Sequence, residues 1–171
     1  MSLEDCSLEN CSLENCSLEN CSLENCSLEN CSLETPEFTL CGLTLKGKVV
    51  ECYDADTCKI VLPILNTFYK FTCRLNGIDT PEMKPLKTKP NRDNEIGWAK
   101  KAKLELLRLI TDHNLEDLDI KKEDVIELLK NNKKLITVKC LEFDKYGRLL
   151  VELYNINDTT HSFNHSFNHS L

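Results

Sequence analysis

The first thirty-four residues are built on a period of five. Cys-Ser-Leu-Glu-Asn is written five times without error from Cys6 to Asn30, with a degenerate copy on either side. Such a step denies both regular elements a buried face. In an α-helix five residues turn the chain by about 500°, so Leu8, Leu13 and Leu18 scatter around the axis. In a strand an odd step sends successive leucines to opposite faces. A square coil with one pentad per side turns every leucine inward, and an unfolded arm needs no buried face at all.

Charge divides the chain at the same place. The head carries eight acidic side chains and no basic one, whereas the full 171 residues hold 28 acidic and 21 basic, a net of −7. The remainder is therefore close to neutral, with 20 acidic against 21 basic side chains. The unit of small residue, polar residue and leucine resembles the pentapeptide-repeat family, whose right-handed β-helix has a square cross-section. Four pentads per turn would give this head fewer than two turns, and stacked solenoid units need about three. Residues 1–35 are thus expected to be either disordered or a short β-helix, with no indication of a partner.

Eleven cysteines follow the division, six in the repeats and five elsewhere (Cys41, Cys52, Cys58, Cys73 and Cys140). The odd count and the absence of a C-x-x-C pair favour reduced thiols over a disulfide framework or a zinc site. The longest apolar run, Ile60 to Leu65, falls far short of the roughly 18 residues of a membrane span. No basic-then-apolar leader is present, so an intracellular protein with no membrane partner is expected. At the other end His161, His165 and His169 recur at steps of four within a Ser-Phe-Asn repeat. Three such histidines could line a helix and hold a metal. Ser, Asn and Phe are poor helix formers, so residues 159–171 are expected to be a low-complexity tail.

Between the repeats, residues 36–158 suffice for one domain. Alternating apolar and β-branched residues predict strands over Thr44–Tyr53, Cys58–Leu62 and Thr67–Leu75. Asp93 or Asn94 is placed to cap a helix reaching about Thr111, with Ala99, Ala102, Leu106 and Ile110 on its apolar face. Asp119 is placed to cap a second helix carrying Val125, Leu128 and Leu129. Lys134–Glu142 and Arg148–Tyr154 then form a hairpin around Tyr146-Gly147. The order predicts a mainly β fold with α insertions: a five-stranded antiparallel OB-type barrel.

Four carboxylates stand at strand ends beside turns: Asp54, Asp56, Asp79 and Glu82. Pro81 holds Thr80 extended, which frees the Thr80 carbonyl from helical pairing. Carboxylates with a carbonyl are the hard oxygen donors that Ca²⁺ prefers, although Asp-x-Asp-Thr and Asp-Thr-Pro-Glu are also good turn chemistry in their own right. Arg74 within a strand and Arg148 at the hairpin add guanidinium forks suited to a phosphate.

Tyr-Asp-Ala-Asp-Thr (53–57), Arg-Leu-Asn-Gly-Ile-Asp-Thr-Pro-Glu (74–82) and Asp-Lys-Tyr-Gly-Arg (144–148) resemble, in order, three signature segments of the staphylococcal nuclease (thermonuclease) family. The resemblance spans residues 45–154 and implies a Ca²⁺-dependent phosphodiesterase acting on DNA and RNA, single strands preferred, with 3′-phosphate products. It implies Asp56, Asp79 and the Thr80 carbonyl as Ca²⁺ ligands, with Asp54 in support. Glu82 would be the general base or would orient the water, and Arg74 and Arg148 would hold the phosphate. Lys84, Lys87, Lys89 and Arg92 follow in a loop that is either solvated or a basic flap along the nucleic-acid backbone; Lys145 and Tyr146 are further candidates for contact. A monomer is expected.

Three departures bear on the expectation. Thr111 to Asn132 inserts an extra helical segment, and the repeat head has no counterpart in the family's enzymes. Of the two helices that follow the fifth strand in the family only the beginning is matched, by Ser162-Phe163-Asn164, before the Ser-Phe-Asn-His repeat takes over. A truncated domain with bare apolar surface at that end is therefore expected. The alternative to an active nuclease is an inactive remnant or an OB-type nucleic-acid-binding module.

Overall fold

A computed structural model describes residues 31–156 and 158–164. The chain divides into two compact units, residues 1–38 and 39–171. The pentad repeats, and with them the choice between disorder and a short β-helix, lie outside the described residues except for 31–34. The second and third histidines of the tail lie outside them too.

The second unit is mostly strand with two helices. Its elements are β1 (Thr44–Cys52), β2 (Thr57–Ile64), β3 (Thr67–Leu75), α1 (Arg92–Thr111), α2 (Lys122–Asn131), β4 (Ile136–Phe143), β5 (Leu149–Asn155) and β6 (Asp158–Ser162). The first five strands close an OB-type barrel. β3 pairs with β2, β2 with β1, β1 with β4 and β4 with β5, all antiparallel. A parallel pairing of Cys73–Leu75 with Leu149–Val151 joins β3 to β5 and completes the circle. The barrel is therefore mixed, where an antiparallel one was expected. Register shifts at Val49/Glu51 in β1 and at Cys140/Phe143 in β4 supply the local twist that closure requires.

Alternation fills the interior. Ile60 and Leu62 from β2, Leu75 from β3, Ile136 and Val138 from β4, and Leu149, Val151 and Leu153 from β5 are all at most 1% exposed. Gly47 is needed where β1 crosses this layer, because a Cβ there would stand 2.8–2.9 Å from Leu62, Ile60 and Val138 side chains. Cys52, Cys58 and Cys73 are register partners on three adjacent strands and, with Cys140, are buried as thiols. Burial pushes Cys52 and Cys73 up to about 12 and Cys140 to about 11, so these thiols stay protonated and behave as small apolar groups.

Several element ends differ from the sequence expectation for identifiable reasons. β2 continues through Pro63 to Ile64, because its pairing with β1 reaches no further than Val61 and the missing N–H of Pro63 therefore costs no ladder bond. α1 begins two residues early: its N-cap is Asn91 in left-handed conformation, making no side-chain cap, while Asp93 falls in the first turn. An acidic first turn complements the helix dipole. α2 is preceded by Lys121 rather than capped by Asp119, whose carboxylate instead pairs with Lys100 of α1. Ala99, Ala102, Leu106 and Ile110 form the buried face of α1 as periodicity predicts, joined by Leu104 and Leu107. Asn132, after α2, donates from its side chain to the Ile110 carbonyl at 3.1 Å and ties the two helices together.

Beyond β5 the structure adds an element that the composition of the tail did not suggest. β6 pairs with the end of β5 (Tyr154 with Ser162, Asn155 with Asp158), whereas β3 takes the start of the same edge. Between the two, the N–H of Leu153 donates to Asn164 Oδ1 at 3.2 Å. Asn164 Nδ2 in turn donates to the carbonyls of Asn76 at 2.8 Å and Val151 at 3.2 Å. One buried amide thus satisfies the gap in the ladder, and Phe163, 5% exposed, joins the barrel core. Where bare apolar surface was expected after β5, these residues provide cover.

Asn164→Ala would take their partner from the Leu153 amide and the Asn76 carbonyl and leave the Val151 carbonyl only the Asn76 amide, and we expect a loss of about 2–4 kcal/mol in urea unfolding. Phe163→Ala should cost a similar 3–5 kcal/mol. A loss below about 0.5 kcal/mol in both variants would show that the segment does not support the barrel.

Candidate active site

Turn chemistry begins the site. After β1 the chain reverses through Asp54-Ala55-Asp56, with the amides of Tyr53 and Asp54 both donating to the Thr57 carbonyl. This places the Asp56 side chain inward, 3% exposed, at the mouth of the barrel. A buried carboxylate requires donors, and Asp56 has four. Oδ1 accepts from Thr57 Oγ1 and Arg74 Nη1, each at 2.9 Å. Oδ2 accepts from the Thr80 amide at 3.2 Å and the Thr80 hydroxyl at 2.9 Å. The Leu75 amide also donates to the Asp56 carbonyl at 2.8 Å. One residue thereby joins the β1–β2 turn, the end of β3 and the loop after it. The turn at Asn76-Gly77, with Gly77 at φ +74°, brings that loop back toward Asp56.

Arg74 stands between two of the expected cation ligands. Its Nη2 donates to Asp79 Oδ1 at 3.0 Å, on the open side, where the Asp79 side chain is almost fully exposed. The bond to Asp56 is shielded and the bond to Asp79 is not, so the second is the exchangeable one.

Asp54 is the anomaly of the group. Its Oδ1 is buried and lacks a hydrogen-bond partner among the described residues. Burial first, and then the charge of neighbouring Asp56, push its carboxyl up to about 6. An orphaned carboxylate oxygen beside a second carboxylate is a place where a cation would relieve both penalties. The Thr80 carbonyl accepts no backbone hydrogen bond among the described residues. The donor chemistry therefore fits a hard cation through Asp54, Asp79 and the Thr80 carbonyl. Asp56 already accepts four hydrogen bonds and would have to give one up to join them. Among the described residues no three His, Cys, Asp or Glu side chains form a metal-binding group by themselves, so a set on this pattern depends on the carbonyl and on water.

Arg148 comes from the opposite hairpin. Asp144 accepts from the Tyr146 and Arg148 amides at 2.8 and 2.9 Å and from Arg148 Nε at 2.7 Å. Desolvation raises the Asp144 carboxyl, but these donors outweigh it and hold it below the usual carboxylate range. The guanidinium is thus held by its inner edge. The Tyr146 ring lies 5.3 Å from it and 5.1 Å from Lys145 Nζ.

A cleft of about 400 Å³ gathers Asp54, Asp56, Arg74, Asp79, Thr80, Glu82, Lys84 and Arg148, together with Tyr53 and Thr57. Lys87, Lys145 and Tyr146 do not line it. Of the other loop cations, Lys89 pairs with Glu95 at 2.7 Å and Arg92 Nε donates to the Pro85 carbonyl at 3.3 Å. The Thr57 and Thr80 hydroxyls are site residues that sequence reasoning missed as donors to Asp56; the signal available was a threonine directly after Asp56 and after Asp79. Asp144 was missed too, though it opens the segment that carries Arg148.

Pentapeptide repeats are found at residues 2–34, in eight copies, by a match to the family model of that description. No curated protein matches the chain. No helix of the described residues is long and apolar enough to cross a membrane.

Because the folded protein holds the Asp54 proton more tightly than an unfolded chain does, ionising Asp54 costs stability as pH rises from about 4 through 6. With chelator present, Asp54→Asn should therefore be more stable than the parent at pH 7. We expect about 1 kcal/mol after allowing for solvent screening. The advantage should shrink toward zero below pH 4, as urea midpoints compared across pH would reveal. An advantage independent of pH would rule out Asp54 ionisation as its source.

Proposed function

We propose that residues 39–164 form a Ca²⁺-dependent phosphodiesterase that cleaves DNA and RNA, with single strands preferred and 3′-phosphate products. The observation that carries this reading is the convergence, in one cleft, of two guanidinium groups with the carboxylates of Asp54, Asp56, Asp79 and Glu82. Cations and anions of this kind, held apart by separate turns, match the needs of phosphodiester hydrolysis: charge stabilisation on the phosphate and a base for water.

Each side chain has a task that follows from its surroundings. Arg74 is anchored by buried Asp56, and its exposed bond to Asp79 can be exchanged for a phosphate oxygen. Arg148 is anchored through Nε by Asp144, which leaves its outer nitrogens for a second oxygen. Negative charge grows on the non-bridging oxygens as water attacks, and these preorganised donors stabilise it without reorganising. Glu82, exposed on the cleft wall, takes the proton of that water or orients it. Asp54, Asp79 and the Thr80 carbonyl, with Asp56, would hold Ca²⁺, which when bound supplies further neutralisation of phosphate charge. Lys84 adds a salt-sensitive attraction for the backbone.

The test is cleavage of single-stranded DNA by the full chain, with Ca²⁺ and with chelator. Arg148→Ala should lower kcat by about 10²–10³ and Glu82→Gln by about 10²–10⁴, with folding unchanged by circular dichroism. Folded protein that binds the oligonucleotide without cutting it, with or without Ca²⁺, would replace the enzyme by a binding module on the same barrel.

A further inference from the structure

Alongside the cleft runs a second, larger depression of about 710 Å³ that shares Asp79, Thr80 and Glu82 with it. Its far wall is the first turns of α1, where Asn91, Asn94, Glu95 and Trp98 line the space. Trp98 is the single tryptophan of the chain, and it is 50% exposed although its neighbour Ala99 is buried. Helical spacing accounts for that contrast: one residue step of about 100° puts Trp98 on the rim when Ala99 faces the core. Lys101 Nζ lies 4.7 Å from the ring centroid.

The charge of the depression tells against a phosphate. Asp79, Glu82 and Glu95 face it against Lys89 alone, and Lys89 is already paired with Glu95. A nucleobase suits the same lining, since every base has a π-face to stack on an indole and edges that hydrogen-bond to amides and carboxylates. The volume falls within the roughly 300–1,000 Å³ of small-molecule sites.

We propose that this depression is a nucleobase subsite. The base of the nucleotide next to the scissile phosphate stacks on Trp98, with its edge toward Asn91 and Asn94. The inference rests on the phosphodiesterase reading for the position of the phosphate, and extends it by assigning where a neighbouring base is held. It makes unpaired single strands the preferred ligand, because a base inside a duplex has no free face to offer.

The lone tryptophan allows a direct test on the full chain in chelator. Titration with a deoxyadenylate hexamer should change Trp98 emission with the same midpoint as the anisotropy of the labelled hexamer. An abasic hexamer with the same phosphates should bind more weakly and leave emission unchanged. Trp98→Leu should weaken binding of the deoxyadenylate hexamer by about 5- to 150-fold while leaving abasic binding as it was, and Trp98→Phe should retain most of the affinity. Circular dichroism is to show that both variants fold. If Trp98→Leu binds the hexamer as tightly as the parent, or if emission does not respond at saturation, the subsite is wrong. Ca²⁺-dependent cleavage in the same preparations would then leave the phosphodiesterase standing. Failure to bind either hexamer, with no cleavage, would overturn both.

Discussion

The carboxylate of Asp56 is the constraint on which the site depends. Burying a charge is tolerable only when hydrogen bonds replace the lost water, and here four donors converge from Thr57, Arg74 and Thr80. Those donors belong to three separate stretches of chain, so the turn after β1, the end of β3 and the loop beyond it are held together by one group. Removing a partner from such a pair typically costs about 3–5 kcal/mol, because the other charge remains buried. The position of Arg74 is therefore a by-product of solvating Asp56, and the same bond that stabilises the fold also aims the guanidinium.

The strain left over in this arrangement falls on Asp54. Asp56 takes the side-chain donors of Thr57, Arg74 and Thr80, and the adjacent carboxylate of Asp54 keeps one buried oxygen with no partner among the described residues. Structural needs and site chemistry meet in this residue. Under the phosphodiesterase proposed above, this second acid is the charge that would hold a cation against phosphate. Arg148 is treated differently. It is fixed by the local Asp144 turn and owes nothing to the barrel interior.

The far end of the molecule shows how closure and the tail are coupled. β5 has one edge on β4 and divides its other edge between β3 and β6, and a parallel pair cannot share that edge without leaving a gap. Asn164 fills the gap with one amide that both donates and accepts. The chemistry of the first Ser-Phe-Asn copy is thus put to structural use: Phe163 enters the core and Asn164 completes the ladder.

Much of the fold was legible because its signals are local. β3 was read to the residue from its aromatic and β-branched run, the buried face of α1 followed from steps of three and four, and Asp-x-Asp-Thr and Asp-Lys-Tyr-Gly-Arg announced turns. Element ends were less legible. Asp93, Asn94 and Asp119 all have cap chemistry, yet the helices begin after Asn91 and Lys121, with Asp93 in the first turn of α1 and Asp119 paired to Lys100. The reading of residues 159–171 as a low-complexity tail did not foresee β6 (Asp158–Ser162), because what places that strand is the free end of the β5 edge, which composition does not reveal. The pentad period of the head, recognised from spacing alone, also appears in the family match over residues 2–34. What the sequence by itself determined is thus the period of each segment and the residue types of the candidate cleft, since both depend on neighbours a few positions apart. The parallel β3–β5 seam, the sharing of Asp56 among three segments and the groove beneath Trp98 were decided only in the tertiary structure. They join residues tens of positions apart, and no local pattern encodes which distant donor will reach a buried acceptor.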